Sequence, residues 1–160
     1  MVEKLSVLHL LLVIAAAACI YLVIRELRRT YVSQWRLFAP GLAALFVALE
    51  MFLIQVAAGE PRWPFLAATG IGLVIGAVRG LTIGLKHDLY RPQVMISQPA
   101  KQVLLLVGLG VGVCVALEIA GTVTHHPHLR LWATLSAIVC AAAMLARAFV
   151  LTLRLRAHQV

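Results

Sequence analysis

The sequence predicts an all-α integral membrane protein of five transmembrane helices: one N-terminal span followed by two helical hairpins repeated in parallel. Three observations carry this prediction. The composition is 62% hydrophobic and 12% charged, with a mean hydropathy of +0.98. Soluble domains are roughly half apolar and a quarter charged, so this chain lies far outside them. Five apolar runs of about 20 residues are separated by short polar segments, the length that crosses a bilayer as helix. A shift of 68 residues superimposes charges in the two halves of the chain. At 160 residues there is room for one membrane domain and no separate soluble module.

The spans are expected at residues 5–24, 37–58, 65–85, 102–121 and 131–153. Span one contains Ala16-Ala17-Ala18-Cys19, which resembles a lipoprotein cleavage site. Its apolar run nevertheless continues through Ile24 and is closed by Arg25, Arg28 and Arg29, as a full span with a stop signal would be. The basic segment Arg25 to Arg36 leads into span two. Gly59-Glu60-Pro61-Arg62-Trp63-Pro64 punctuates the chain before span three. A polar loop from Lys86 to Lys101 precedes span four, and His125-His126-Pro127-His128 makes the turn into span five.

Span three holds Gly72, Gly76, Gly80 and Gly84, one every four residues and therefore on one slowly drifting helix face. Each glycine costs about 1 kcal/mol relative to alanine in a water-exposed helix. In a membrane such a face lets a neighbouring backbone approach closely, so these four are the expected helix-packing residues.

The net charge of +8 does not point to nucleic acid, because the basic residues sit mostly beside apolar runs. Nine Lys and Arg fall in the Arg25–Arg36 segment, the Lys86–Lys101 loop and the C-terminus, against three on the other side. The positive-inside rule then places the N-terminus outside and the C-terminus in the cytoplasm. Trp35, Trp63 and Trp132 fall at span ends, where indole rings favour the interface.

Val47-Ala48-Leu49-Glu50 recurs as Val115-Ala116-Leu117-Glu118, and the same shift maps Arg62 onto Arg130, Arg79 onto Arg147 and Lys86 onto Arg154. Spans two and three thus read as one copy of a hairpin and spans four and five as a second, entering the membrane in the same direction. Within each copy a glutamate and an arginine lie inside the spans. Side chains lean toward the helix N-terminus, so Glu50 and Arg79 are expected to meet across the first hairpin, and Glu118 and Arg147 across the second. Such pairs serve either as structural clamps or as a proton- or substrate-handling site. The clamp is the favoured expectation. A neutral, protonated glutamate is compatible with the same positions.

Other constellations are weaker. His125, His126 and His128 are candidate metal ligands, but Pro127 interrupts them and no acid or cysteine follows, so a solvated turn is expected and no metal. His9 has no second intramembrane histidine to make a haem pair, and no cofactor is expected. Cys19, Cys114 and Cys140 form no CxxC. Cys114 and Cys140 fall at similar depth, where a thiol relay is conceivable and packing is favoured. Gly108, Gly110 and Gly112 follow no strand, which leaves helix packing rather than a nucleotide loop.

Arg25, Leu27, Arg28 and Arg36 before Pro40, then Gly76-Ala77-Val78-Arg79-Gly80-Leu81-Thr82 after Gly72, then Asp88 and Gln93-Val94, form a pattern. It resembles the CcdC-like family of small bacterial membrane proteins over about residues 20–105. The resemblance implies an association with cytochrome c biogenesis and supplies no catalytic residues. The expected function is therefore a non-enzymatic accessory or assembly subunit of a larger membrane complex, with the bilayer and other membrane proteins, or further copies of itself, as partners. The alternative is a small oligomeric transporter or proton-coupled carrier using Glu50 and Glu118. An enzyme acting through a Cys114–Cys140 relay ranks third.

Overall fold

The computed structural model describes residues 7–28, 34–87 and 94–157. Five helices are each long and apolar enough to cross a membrane: α1 (Val7–Leu27), α3 (Ala39–Ala57), α4 (Trp63–Thr82), α5 (Gln98–Thr124) and α6 (Pro127–Ala157). A four-residue helix, α2 (Gln34–Leu37), precedes α3. The chain runs up and down, so one end of the bundle carries the α3–α4 and α5–α6 turns. This is called the turn end. The other carries the link into α3, the segment between α4 and α5 and the last residues of α6, and is called the loop end.

Prolines set several helix starts. Pro40, Pro64 and Pro99 stand at the first or second helical position of α3, α4 and α5, where a missing N–H costs nothing. Pro127 opens α6 in the same way. Helices α5 and α6 consequently begin four residues earlier than residues 102 and 131, and both outrun their expected ends by three or four residues. Helix α5 stops where His125 adopts a left-handed conformation (φ 58°) and its N–H closes onto the Gly121 carbonyl.

The Lys86–Lys101 stretch is not wholly loop. Leu85–His87 (β1) and Val94–Ile96 (β2) pair antiparallel, with Lys86 opposite Met95. Runs of three residues are too short for their alternation to stand out from a polar loop. Asp88 and Gln93, which belong to the CcdC-like pattern, lie outside the described residues, as does the side chain of Trp35.

Helix α6 is the centre of the bundle, packing on α3, α4 and α5, while α1 closes the far side against α3 and α5. The main core joins Leu12, Val47, Met51, Val111, Ala137 and Met144 across four helices. A second cluster at the loop end gathers Leu37, Ile83, Ala148, Leu151 and Leu155. Each of these five helices also exposes large apolar side chains, such as Leu10, Phe46, Val74, Leu106 and Phe149, the pattern that a lipid-facing surface would require.

Helix α4 lies beside α6 in parallel, and the glycines explain how. A Cβ on Gly72 would come within 2.6 Å of the Val139 carbonyl oxygen. One on Gly76 would strike the Ala143 backbone, and one on Gly80 would stand 2.7 Å from the Val150 Cβ. Gly84 departs from the expectation: it lies past the end of α4 and nothing stands within 4 Å of its Cβ position. On α5, Gly108 and Gly112 face Val23 and Ile20 of α1, so this run also serves helix packing. The two hairpins are packed unlike one another. Helices α5 and α6 lie side by side along their length, whereas α3 and α4 meet at an edge-to-face contact of Phe52 with Phe65, ring centroids 5.1 Å apart.

Candidate functional site

The most developed polar site lies at the turn end, where α5, α6, α3 and α1 converge. Glu118 is on α5, six residues before its last residue, and is fully buried. Arg130 is the fourth residue of α6, and its Nε donates to Glu118 Oε1 at 2.8 Å. The guanidinium side is 23% exposed and the carboxylate 0%, so the pair joins a sealed anion to a cation that reaches the surface. Gln55 of α3 completes the arrangement: its Nε2 lies 3.5 Å from Glu118 Oε2 and 3.4 Å from Thr134 Oγ1. The Thr134 hydroxyl donates back to the Arg130 carbonyl at 2.9 Å. Thr122 donates to the Glu118 carbonyl and stands 3.4 Å from His9 Nε2 on α1. Four helices are thereby stitched together by polar side chains that find their partners inside the protein.

Neither expected Glu–Arg pair forms. Glu118 lies about 9 Å from the turn end of α5, whereas Arg147, the twenty-first residue of α6, lies about 30 Å along its helix. The expected pairing carried the depths of the first hairpin over to the second, where the offset of about 21 Å exceeds what two side chains span. In the first hairpin Glu50 is about 10 Å and Arg79 about 24 Å from the turn, on helices that barely touch. Glu50 remains half-buried on α3, with its Oε2 enclosed and without a hydrogen-bond partner among the described residues. It sits one helical turn from the exposed Phe46 and Leu53.

The arginines instead come together at the loop end. Arg79 and Arg147, from the parallel helices α4 and α6, line one groove between α4, α5 and α6. Arg147 is 7% exposed, and its Nη2 is buried with no hydrogen-bond partner among the described residues. Among the described residues, Glu26 of α1 attracts Arg147 and Arg79 repels it. Glu26 is in turn attracted by Lys101. Close by, Arg154 of α6 donates through Nη1 to the carbonyls of Gly80, Leu81 and Ile83 at 2.9, 3.0 and 2.9 Å. It satisfies two orphan acceptors in the last turn of α4, Gly80 and Leu81, and places a cation at the negative end of that helix.

His125, His126 and His128 are all exposed on the α5–α6 turn, and no group of three His, Cys, Asp or Glu among the described residues converges for a metal ion. Cys19 and Cys114 are buried and Cys140 is half-buried, with the three thiols free. Cys19 donates to the Pro40 carbonyl at 3.6 Å, a link between α1 and α3.

Several site residues escaped the sequence reading. Arg130 reads as a loop charge, yet it and Glu118 are equidistant from Thr124. That spacing is what antiparallel neighbours across a tight turn show, and it was the available signal. Gln55, Thr134 and Glu26 carry no comparable pattern, because their partners lie on helices distant in sequence. Comparison with known proteins adds no assignment: no family model, curated protein or solved structure matches the chain.

Proposed function

We propose that the chain is a non-enzymatic subunit of a larger bacterial inner-membrane complex, oriented with its N-terminus outside and its C-terminus in the cytoplasm. Glu50 carries this reading. A carboxyl group on an apolar helix, next to outward-facing Phe46, Leu49 and Leu53, has an oxygen, Oε2, without a hydrogen-bond partner among the described residues. Leaving such a group unmatched in lipid costs several kcal/mol. A donor from a neighbouring chain removes that cost and gives the contact its specificity. The resemblance of residues 20–105 to the CcdC-like family suggests that the complex is one of cytochrome c biogenesis.

The test is purification from native membranes in mild detergent, with mass spectrometry of what accompanies the wild type, Glu50→Gln and Glu50→Leu. The expected result is a stoichiometric partner, or a second copy, that Glu50→Leu releases while the thermal stability of the isolated chain is unchanged. Identical companions for all three proteins would overturn the reading. The same carboxyl group favours one further reading, a small oligomeric transporter or proton-coupled carrier using Glu50 and Glu118. Proton flux in reconstituted vesicles that is abolished by Glu50→Gln would select it instead.

A further inference from the structure

We propose that the groove between α4, α5 and α6 at the loop end binds an anionic phospholipid, with its phosphate between the guanidinium groups of Arg79 and Arg147. The groove has a volume of about 60 Å³ and walls that are apolar apart from these two arginines, including Ile75, Val103, Val107 and Met144. An apolar cleft capped by two cations matches an amphiphile: acyl chain below, acid above. It does not match a small hydrophilic anion, for which the apolar wall supplies nothing.

Level and charge both favour this occupant. Arg79 lies three residues from the end of α4, about 5 Å in, which is headgroup depth for a spanning helix. Arg147 is held at the same level, because its carbonyl faces Gly80 across the parallel α4–α6 contact. The two guanidiniums repel each other, and Arg147 presents a buried Nη2 that nothing in the described protein accepts from. Among the described residues, Glu26 is the acid that acts on Arg147. Arg154 is already committed to three carbonyls of α4 and its end. A phosphate diester supplies a negative charge and two acceptor oxygens in the geometry that guanidinium recognises best.

The experiment uses the full chain in mild detergent, with thermal shift and native mass spectrometry on titration of dioleoyl-phosphatidylglycerol, dioleoyl-phosphatidylcholine or inorganic phosphate. Wild type is expected to bind phosphatidylglycerol and gain stability, with phosphatidylcholine and phosphate giving little. Arg79→Gln and Arg147→Gln should each weaken phosphatidylglycerol binding about tenfold or more. Arg79 is exposed at a helix end, so its variant folds and decides the matter even where Arg147→Gln does not. Arg156→Gln removes an equally exposed loop-end charge outside the groove and should leave binding within about twofold. Equal binding of the two lipids overturns the proposal, as does equal loss in Arg156→Gln and Arg79→Gln. A stabilisation reproduced by inorganic phosphate alone assigns the site to a soluble anion and overturns it as well.

Discussion

Replacing Arg130 with methionine tests the turn-end site directly. Glu118 is fully buried, and the guanidinium at 2.8 Å supplies its charge partner; Gln55 at 3.5 Å is a weaker donor. Methionine keeps the apolar stem that packs near Gly121 and removes the charge alone. Stranding a buried carboxylate in this way costs about 3–5 kcal/mol. Because replacing both members of a buried pair with apolar groups is often close to neutral, Arg130→Met with Glu118→Leu should recover most of that loss. Unfolding in mixed micelles by increasing fractions of dodecyl sulfate reads the differences. The control cycle combines Glu118→Leu with Arg147→Met, where the offset along the helices requires additivity within about 0.5 kcal/mol. An Arg130→Met loss below about 1 kcal/mol, or a Glu118–Arg147 coupling larger than the Glu118–Arg130 coupling, would refute the assignment of partners.

Three further outcomes follow from the packing of α4 and its end. Gly76→Ala places a methyl against the Ala143 backbone, which cannot yield as a side chain tip can, and should cost about 1–3 kcal/mol in the same assay. Gly84→Ala meets open space and should stay within about 0.5 kcal/mol. Arg154→Ala removes a charged donor from three carbonyls at the end of α4 and should cost about 1.5–3 kcal/mol, with faster amide exchange confined to the last turn of that helix.

Five helices were legible because each depends on a local property, an apolar run of sufficient length. Their ends were less so. Pro99 and Pro127 looked like interruptions, yet each stands where a helix begins, and that alone moved α5 and α6 outward by one turn. The face of Gly72, Gly76 and Gly80 was visible as a spacing, but nothing local named α6 as the helix it meets. Charge pairing failed for that reason. Arg79 and Glu50 belong to consecutive helices, and the chain places α6 beside α4 in the position a simple hairpin would give to α3. Glu118 and Arg130 sit symmetrically about a tight turn. Glu50 and Arg62 share their 12-residue spacing, but α4 starts at Trp63 and leaves Arg62 exposed ahead of it. Four residues of helix separate the two outcomes, because α6 begins at the position equivalent to residue 59.

The lodging of α4 has a mechanical consequence. One smooth flank, a pair of rings near one tip and a single guanidinium at the other hold it in place. Such a rod is seated almost wholly against one neighbour, so any opening that frees it must part it from α6 along its whole length.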